Sequence, residues 1–205
     1  MMEEKKFEQF NPEIRLAQEK DLAGISQLQD ENLSKNISLE EKLNEGFVVV
    51  KTPPDLLKEI AVQEGITIAQ LDKKIIGYLI PMSVEHGQKI SFWNPFIKKI
   101  KTIQLEGKPL DDYQYCILSQ VCIDKNHRGK GILEKLYKDL EERLADKYDF
   151  GISEIETNNQ RSLQAHLNKI GLKIVEKYSV EGKDWYIVIL DFLPFRKNNL
   201  QNKKT

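Results

Sequence analysis

The alternation of apolar and polar positions divides this chain into short strands and amphipathic helices. Apolar, β-branched runs at residues 66–71 and 75–80 flank the polar segment Asp72-Lys73-Lys74, a pattern that predicts an antiparallel hairpin. Further strands are predicted over residues 13–17, 115–123, 151–157, 173–180 and 185–192, with a turn at 181–183 joining the last two.

Helix start signals lie between these strands. Asp21 stands at an N-cap position before an apolar stripe that begins at Leu22, and Ser38 with Glu41 has the spacing of a capping box. Pro54 suits the first position of another helix. Strands and helices therefore interleave, which predicts the α/β (α+β) class, with a mixed, mostly antiparallel central sheet flanked by helices on both faces.

Composition limits the class of protein. The 205 residues are enough for one well-buried core, and 40% hydrophobic with 31% charged residues is the balance of a globular protein. No apolar run is long enough to cross a bilayer and the first residues lack the apolar core of a secretory signal, so we expect a cytoplasmic protein with no membrane partner. The net charge of −1 argues against a general nucleic-acid binder.

The expected organisation is a single domain over residues 12–194. A polar lead-in at 1–11 precedes it, and a basic tail at 195–205 follows it. Residues 82–112 form an insertion that a minimal domain of this kind does not need, and long structured insertions beside active sites often act as lids.

Within this insertion, Asn94-Pro95 followed by apolar positions at helical spacing predicts a short amphipathic helix. Aromatic residues are concentrated at its start. They either face a substrate or, alternatively, cover a sheet edge or hold a homodimer contact. The residues concerned are Phe92, Trp93 and Phe96.

Cysteine and histidine are too sparse to indicate a metal site. Cys116 and Cys122 fall in one predicted strand, where they would lie roughly 20 Å apart at about 3.3 Å per residue, which excludes a disulfide between them. The histidines His86, His127 and His166 are scattered, with no metal-ligand spacing. We therefore expect no structural metal.

The most informative segment runs from Gln120 to Tyr137, where an apolar strand meets a glycine-rich basic turn and then a helical pattern. The first N–H groups of a helix lack partners and carry partial positive charge, so an anionic group can bind there. Gly129 and Gly131 would let the backbone approach this anion, and Arg128 and Lys130 add full charges.

Arg128-Gly129-Lys130-Gly131-Ile132 resembles the Arg/Gln-x-x-Gly-x-Gly/Ala turn of GNAT-type acyltransferases, with Leu133 at the last motif position. The segments 14–25 and 159–172 are similar to the first strand and helix and to the last helix and following strand of that family. One residue more than usual separates Asn159 from Gly171. The resemblance covers most of the chain in the right order and implies a GNAT-like acyl-CoA acyltransferase fold.

The resemblance also implies a cofactor and its binding residues. In this family the turn at 128–133 holds the pyrophosphate of acetyl-CoA, so Arg128, Gly129, Lys130, Gly131, Ile132 and Leu133 are expected to contact the cofactor. Backbone groups of Val121, Cys122 and Ile123 would hydrogen-bond the pantetheine arm. The first interpretation of Asn159 is a helix N-cap, and the second is a contact with the cofactor.

The implied reaction is direct attack of an amine on the thioester, with acceptors ranging from small-molecule amines to peptide amines. His166 lies about where the family often has a tyrosine acting as general acid. A packing role is the alternative for this histidine. Cys122 is not expected to be a nucleophile, because burial raises the pKa of a thiol.

The general base is less evident from the sequence. Glu154 and Glu156 lie on the strand that neighbours the motif, where one of them could face the cleft and reach the amine through a water. The alternative is that both are solvated strand residues. A non-catalytic acyl-CoA sensor or interaction module is therefore the competing functional class.

Overall fold

The computed structural model describes residues 10–202 and places a seven-stranded sheet at the centre of the molecule, in the order β1-β2-β3-β6-β7-β9-β8. Every neighbouring pair is antiparallel except β6 and β7, which confirms the predicted mixed sheet. The strands are β1 Glu13–Leu16, β2 Thr67–Leu71, β3 Lys74–Met82, β4 Gln104–Leu105, β5 Lys108–Pro109, β6 Tyr115–Ile123, β7 Phe150–Glu156, β8 Lys173–Val180 and β9 Lys183–Asp191, with β4 and β5 forming a separate hairpin.

Helices cover both faces of this sheet, as predicted. One buried apolar cluster joins one face to the helices before β6, and a second cluster joins the other face to the helices after β6. The first set comprises α1 Leu22–Asn32, α3 Pro54–Gln63, α4 Val84–Gln88 and α5 Asn94–Ile100; the second comprises α6 Ile132–Leu144, α7 Gln160–Ala165 and α8 Leu193–Asn202. The short helix α2, Leu39–Asn44, contacts α7 instead.

The β2–β3 hairpin forms where the sequence predicts it. Asp72 and Lys73 both have positive φ, of 47° and 71°, as the two central residues of a type I′ turn require. The capping box of α2 is also present, because Ser38 Oγ accepts from the Glu41 N–H at 3.1 Å and the Glu41 carboxylate accepts from the Ser38 N–H at 3.0 Å.

Asp21 precedes α1 but does not cap it with its side chain. Its carboxylate instead accepts two hydrogen bonds from Arg15, at 2.6 and 2.9 Å, and one from the Gln18 N–H at 2.8 Å. The charged guanidinium offers a stronger, bidentate partner than a helix N–H, so the carboxylate joins β1 to the start of the helix.

The insertion is a folded unit on one face of the sheet. Its amphipathic helix, α5, buries Phe96, Ile97 and Ile100 in the first cluster, as the spacing predicts. Lys99 reaches Glu176 on the edge strand β8, with nitrogen and oxygen 3.6 Å apart. The insertion therefore spans from the middle of the sheet to its far edge.

At the C-terminal end, the predicted boundary at residue 194 falls inside α8. Arg196, which belongs to the predicted basic tail, donates hydrogen bonds to the carbonyl groups of Ala145 and Tyr148 and so fixes this helix to the end of α6. Lys203 and Lys204 of that tail and residues 1–9 of the lead-in lie outside the described residues. Within residues 10–202, no helix combines the length and apolar character needed to span a bilayer.

The separation of β6 from β7 creates the space in which the candidate site lies. The two strands pair only from Tyr115 with Phe150 to Ile117 with Ile152, although β6 continues to Ile123. On its other side, β6 stays paired with β3 through an irregularity between Ile80 and Pro81. One edge of β6 therefore opens away from β7 after Ile117.

Candidate functional site

A cleft of about 440 Å³ opens where β6 and β7 diverge; we call it the outer cleft. Its walls are the end of β6, the turn and first residues of α6, the helix α7 and its continuation, and the loop at 46–48. Of the predicted cofactor residues, it brings together Val121, Cys122, Ile123, Arg128, Gly129, Gly131, Ile132 and Leu133.

The turn before α6 has the geometry of an anion site. Gly129 and Gly131 have φ of 75° and 77°, a left-handed conformation that favours glycine, and no heavy atom lies within 4 Å of where a Cβ would stand. Gly131 is the N-cap of α6, so the first N–H groups of this helix have no partner within it. They open toward the outer cleft, whose lining includes Ile132, Leu133 and Glu134.

Asp124 anchors this turn, a role that sequence reasoning missed. Its carboxylate accepts from Lys74 at 2.6 Å, from the Asn126 N–H at 2.9 Å and from His127 at 3.1 Å. Burial alone would raise the pKa of Asp124, but these hydrogen bonds outweigh it and hold the pKa at about 2. An aspartate directly after a strand and before a glycine-rich turn is the sequence feature that indicates this role.

Arg128 lines the cleft, yet its donors are engaged by the protein. Nε donates to the Ile123 carbonyl at 3.0 Å, Nη2 donates to Asn32 Oδ1 at 2.7 Å, and Nη1 pairs with Glu45. The guanidinium of Arg128, which we expected to contact the cofactor, therefore forms an ion pair with Glu45, 83 residues away in the sequence. Lys130 is exposed, and its Nζ lies 4.8 Å from the centre of the Phe10 ring.

The loop between α2 and α3 forms one wall of the site, a role that the sequence did not indicate. Glu45 also accepts from Arg161 at 3.0 Å, so one carboxylate bridges two arginines of the outer cleft. Asn159 donates from Nδ2 to the Phe47 carbonyl at 3.1 Å. Gln120 on β6 donates to the Val50 carbonyl, so this loop is held at three points.

Asn159 occupies the N-cap position of α7, but its side chain does not cap the helix. Its amide nitrogen is committed to the Phe47 carbonyl, which leaves Oδ1 buried with no hydrogen-bond partner among the described residues. The Asn159 side chain therefore holds the loop at Phe47 and does not cap the helix.

The helix α7 continues as a π-helical turn over His166–Ile170, and Gly171 ends it with φ of 81°. The Gly171 N–H bonds to the His166 carbonyl, five residues back. A π-turn holds one residue more than an α-turn in the same length of helix, so it absorbs the extra residue noted between Asn159 and Gly171.

His166 lies at this π-turn and lines the junction between the outer cleft and a second cavity. Its Nδ1 is 2.7 Å from the Ser162 carbonyl, an acceptor only, so Nδ1 carries the proton and Nε2 has a free lone pair. Burial lowers the pKa of His166, against the opposing effect of that hydrogen bond. The ring packs edge-to-face on Tyr137, with centroids 5.7 Å apart.

The second cavity, of about 80 Å³, lies deeper between β6 and β7; we call it the inner cavity. It shares lining residues with the outer cleft, among them Val121, Ser162 and His166, so the two spaces meet. Phe92 and Trp93 of the insertion and Trp185 of β9 form part of its wall. Phe96, in contrast, is fully buried in the core.

Glu154 and Glu156 both line the inner cavity, but in different environments. Glu154 accepts a hydrogen bond from the Tyr178 hydroxyl on β8. Burial raises the pKa of Glu154 to about 7, and the Tyr178 hydrogen bond only partly offsets this effect. Glu156 instead forms an ion pair with Lys183, at 2.9 Å. Tyr178 was not foreseen, since a tyrosine in an edge strand gives no such signal.

The β6 residues expected to bind a pantetheine arm lie along the opened strand edge. Val121 and Ile123 are half-buried, whereas the Cys122 side chain is buried in the first core cluster. Burial raises the pKa of Cys122 to about 12, so its thiol is not ionised at neutral pH. Within residues 10–202, no group of three or more acidic, histidine or cysteine side chains is arranged to hold a metal ion.

This combination of opened strands, glycine turn and helix start can be compared with known proteins. A sequence model of the Acetyltransferase (GNAT) family matches residues 36–172, which is more than half of the chain. The chain belongs to the GNAT acetyltransferase family. No curated protein sequence matches it closely enough to count as a relative.

Solved structures of GNAT proteins share the fold. An N-acetyltransferase from Staphylococcus aureus Mu50 is 18% identical, with a TM-score of 0.57 over 89% of this chain and 99% of that one. The putative acetyltransferase yncA from Salmonella typhimurium, solved with its cofactor acetyl-CoA, is 15% identical, with a TM-score of 0.57 over 89% and 94%. The ribosomal-protein-S18-alanine N-acetyltransferase from Escherichia coli is 11% identical, with a TM-score of 0.57 over the same shares.

Proposed function

We propose that this GNAT protein transfers the acetyl group of acetyl-CoA to a primary amine, by direct attack of the amine within a ternary complex. The observation that carries this proposal is the junction at His166, where a cleft that ends at a helix start meets a smaller cavity lined by the half-buried carboxylate of Glu154. The outer cleft would hold the cofactor and the inner cavity the amine.

The outer cleft suits a long thioester that carries a diphosphate. The N–H groups at the start of α6 suit the pyrophosphate, because they combine free donors with the positive end of the helix dipole. The unpaired edge of β6 at Val121 and Ile123 suits the amide-bearing pantetheine arm, which can add hydrogen bonds as a neighbouring strand would. Arg128 acts mainly by shaping the turn, since its donors already have protein partners.

Glu154 is the proposed general base. With a pKa raised to about 7 by burial, it is partly ionised at neutral pH and can take a proton from the incoming ammonium group. The neutral amine nitrogen then attacks the thioester carbonyl carbon. Glu156 is a weaker candidate, because Lys183 already neutralises its carboxylate.

His166 is the proposed proton carrier to the leaving thiolate. Its Nε2 has a free lone pair at the junction, so it can accept the second proton of the attacking nitrogen. It then returns that proton to the sulfur as the carbon–sulfur bond breaks, giving the amide and free CoA thiol. The lowered pKa favours this return, because the ring does not retain the proton.

Two measurements test the proposal. Acetyl-CoA should raise the melting temperature of the protein, and acetyl-CoA with a panel of primary amines should release free CoA thiol at a rate that depends on the amine. Stabilisation without thiol release for any amine would instead favour the sensor class. Absence of stabilisation would refute the placement of the cofactor.

A further inference from the structure

We propose that Lys183 is a self-acetylation site, whose ε-amino group takes the acetyl group of acetyl-CoA bound to the same molecule. This inference rests on the acetyl transfer proposed above and adds a modification site on the chain itself. Its basis is the face of the sheet on which Lys183 stands, the carboxylate that holds its ammonium group, and the access of that group to solvent.

Lys183 stands on the face of the sheet that carries part of the inner cavity. Side chains alternate between the two faces of a strand, so Lys183 and Trp185 of β9 share a face. Trp185 lies opposite Glu156 of β7 in the strand register, and both residues line the inner cavity. Lys183 is therefore the next side chain on this face, directly beyond the cavity wall.

The ammonium group of Lys183 is held at this wall. Nζ lies 2.9 Å from Oε2 of Glu156 and 5.9 Å from the centre of the Trp185 ring. The Glu156 side chain is only 9% exposed, whereas that of Lys183 is 51% exposed. The amine is therefore paired with a carboxylate of the cavity wall, and the rest of its side chain has room to move.

Glu154, the proposed base, lies within reach of this amine. It stands two residues before Glu156 on β7 and on the same face, a separation of about 7 Å at about 3.3 Å per residue. The flexible four-carbon stem of a lysine can cover such a distance. Because both carboxylates line the inner cavity and attract a cation, rotation from Glu156 to Glu154 brings Nζ of Lys183 from the wall into the cavity.

The chemical step is the one proposed for an external amine. The Lys183 ammonium group gives one proton to the Glu154 carboxylate, and the neutral Nζ attacks the thioester carbonyl carbon. The second proton passes through His166 to the sulfur as the carbon–sulfur bond breaks. The products are an acetamide on Lys183 and free CoA thiol, and Glu154 then releases its proton to water.

Acetylation would change the charge beside the inner cavity. The acetamide is neutral, so the Glu156 carboxylate loses the counter-ion that it has in the unmodified protein. The net charge at this wall falls by one. A modified molecule should therefore attract a cationic acceptor more strongly than an unmodified one.

Lys177 provides a matched control within the same sheet. Its Nζ lies 2.9 Å from Asp184 and its side chain is 52% exposed, so it matches Lys183 both in its ion pair and in its access to solvent. Lys177 lies opposite Tyr186 in the strand register, on the other face of the sheet from Trp185. Chemical acetylation by free acetyl-CoA should modify both lysines alike, whereas transfer within the site should favour Lys183.

The test incubates the full-length protein with isotope-labelled acetyl-CoA and no added amine, and peptide mass spectrometry then locates the label. We expect Lys183 to be labelled roughly tenfold faster than Lys177 or more, because binding brings the two reacting groups together. The rate per molecule should not depend on protein concentration. Equal labelling of the two lysines, or a rate per molecule that rises with protein concentration, would overturn the inference.

Three variants sharpen this test. Glu154→Gln should slow the labelling of Lys183 by about 10²- to 10⁴-fold, the share of a positioned base, and leave that of Lys177 unchanged. Lys183→Arg keeps the positive charge and should remove most of the label from the intact protein, whereas Lys177→Arg should not. Labelling of Lys183 at the wild-type rate in Glu154→Gln would show chemical acetylation and overturn the inference.

The outcomes separate this inference from the proposed function. Release of CoA thiol with added amines but no acetyl group on Lys183 overturns the self-acetylation site and leaves acetyl transfer intact. Acetylation of Lys183 without release for any added amine supports the site and restricts the acceptor to the chain itself. No release and no acetylation of Lys183 overturn both proposals.

Discussion

The outer cleft and the inner cavity are built by different means. Backbone geometry dominates the outer cleft: the glycine turn at 129–131, the first N–H groups of α6 and the open edge of β6, all within one continuous segment. Side chains from separate parts of the chain make the inner cavity, including Glu154 of β7, Trp185 of β9 and the aromatic pair of the insertion.

This difference predicts how each space responds to mutation. A site made of backbone groups tolerates side-chain changes and fails when its conformation or charge is altered. A site made of side chains loses one function with each residue removed, while the fold and the other site persist. The four substitutions below test this contrast, from the largest expected effect to the smallest.

Glu154→Gln should lower kcat by about 10²- to 10⁴-fold, the usual share of a positioned base, while acetyl-CoA affinity stays unchanged. Because the carboxylate must be ionised to act, wild-type turnover should rise as the pH passes through about 7. The variant should lack this rise, which pH–rate profiles will show. Glu156→Gln is the matched control, and its kcat should stay within a few-fold of the wild-type value. Equal losses of kcat in both variants would contradict the assignment of Glu154 as the base.

Gly131→Glu should weaken acetyl-CoA binding about a hundredfold or more, as measured by calorimetry. The residue would have to adopt φ of 77° and would place a carboxylate where we propose that the pyrophosphate binds. Gly107→Glu is the matched control, because Gly107 has φ of 80° and equally open surroundings but lies in the β4–β5 hairpin. If both variants lose similar stability and only Gly131→Glu loses affinity for acetyl-CoA, the anion site lies at the start of α6. Equal affinity in the two variants would contradict this placement.

Tyr178→Phe should move the rising limb of the pH–rate profile upward by about one pH unit. The hydroxyl stabilises ionised Glu154, so its removal raises the pKa of that carboxyl further. Tyr115→Phe removes a hydroxyl that bonds Asp111 at 3.0 Å and should leave the profile in place. A downward shift for Tyr178→Phe would show that another group sets the profile.

Glu45→Gln should raise acetyl-CoA affinity by a few-fold. The substitution removes a negative charge from the mouth of the outer cleft and frees Arg128 and Arg161 from their shared carboxylate. Glu40→Gln, an exposed residue of α2, makes the same change in net charge and should have little effect. Weaker binding in Glu45→Gln would mean that the bridge supports the cleft more than it competes with the ligand.

Local signals in the sequence account for much of the fold. The stripe after Gly131, the capping box at Ser38 and the hairpin around Asp72 each depend on residues that are close together in the sequence, and the structure confirms all three. The position of β9 between β7 and β8 depends on how the whole sheet packs, and no short segment of the sequence determines it.

The site shows the same division. The turn at 128–133 can be found from its spacing, but the pairing of Arg128 with Glu45 joins residues 83 apart, and that of Glu154 with Tyr178 joins residues 24 apart. Burial of the carboxylate, which sets its pKa, depends on the insertion and on β9 as well. Such properties arise from tertiary contacts, so the sequence could name Glu154 as a candidate without separating it from Glu156.

The π-turn at His166–Ile170 has a consequence for comparing this chain with its relatives. An added residue rotates everything after it by about 100° around a helix axis, unless a wider turn takes up the difference. Counting forward from Asn159 and counting back from Gly171 therefore select adjacent positions, His166 or Leu167, as the equivalent of the same family residue. Equivalences in this helix should be taken from superposed coordinates, because matching by position number would exchange a ring at the junction for an aliphatic side chain.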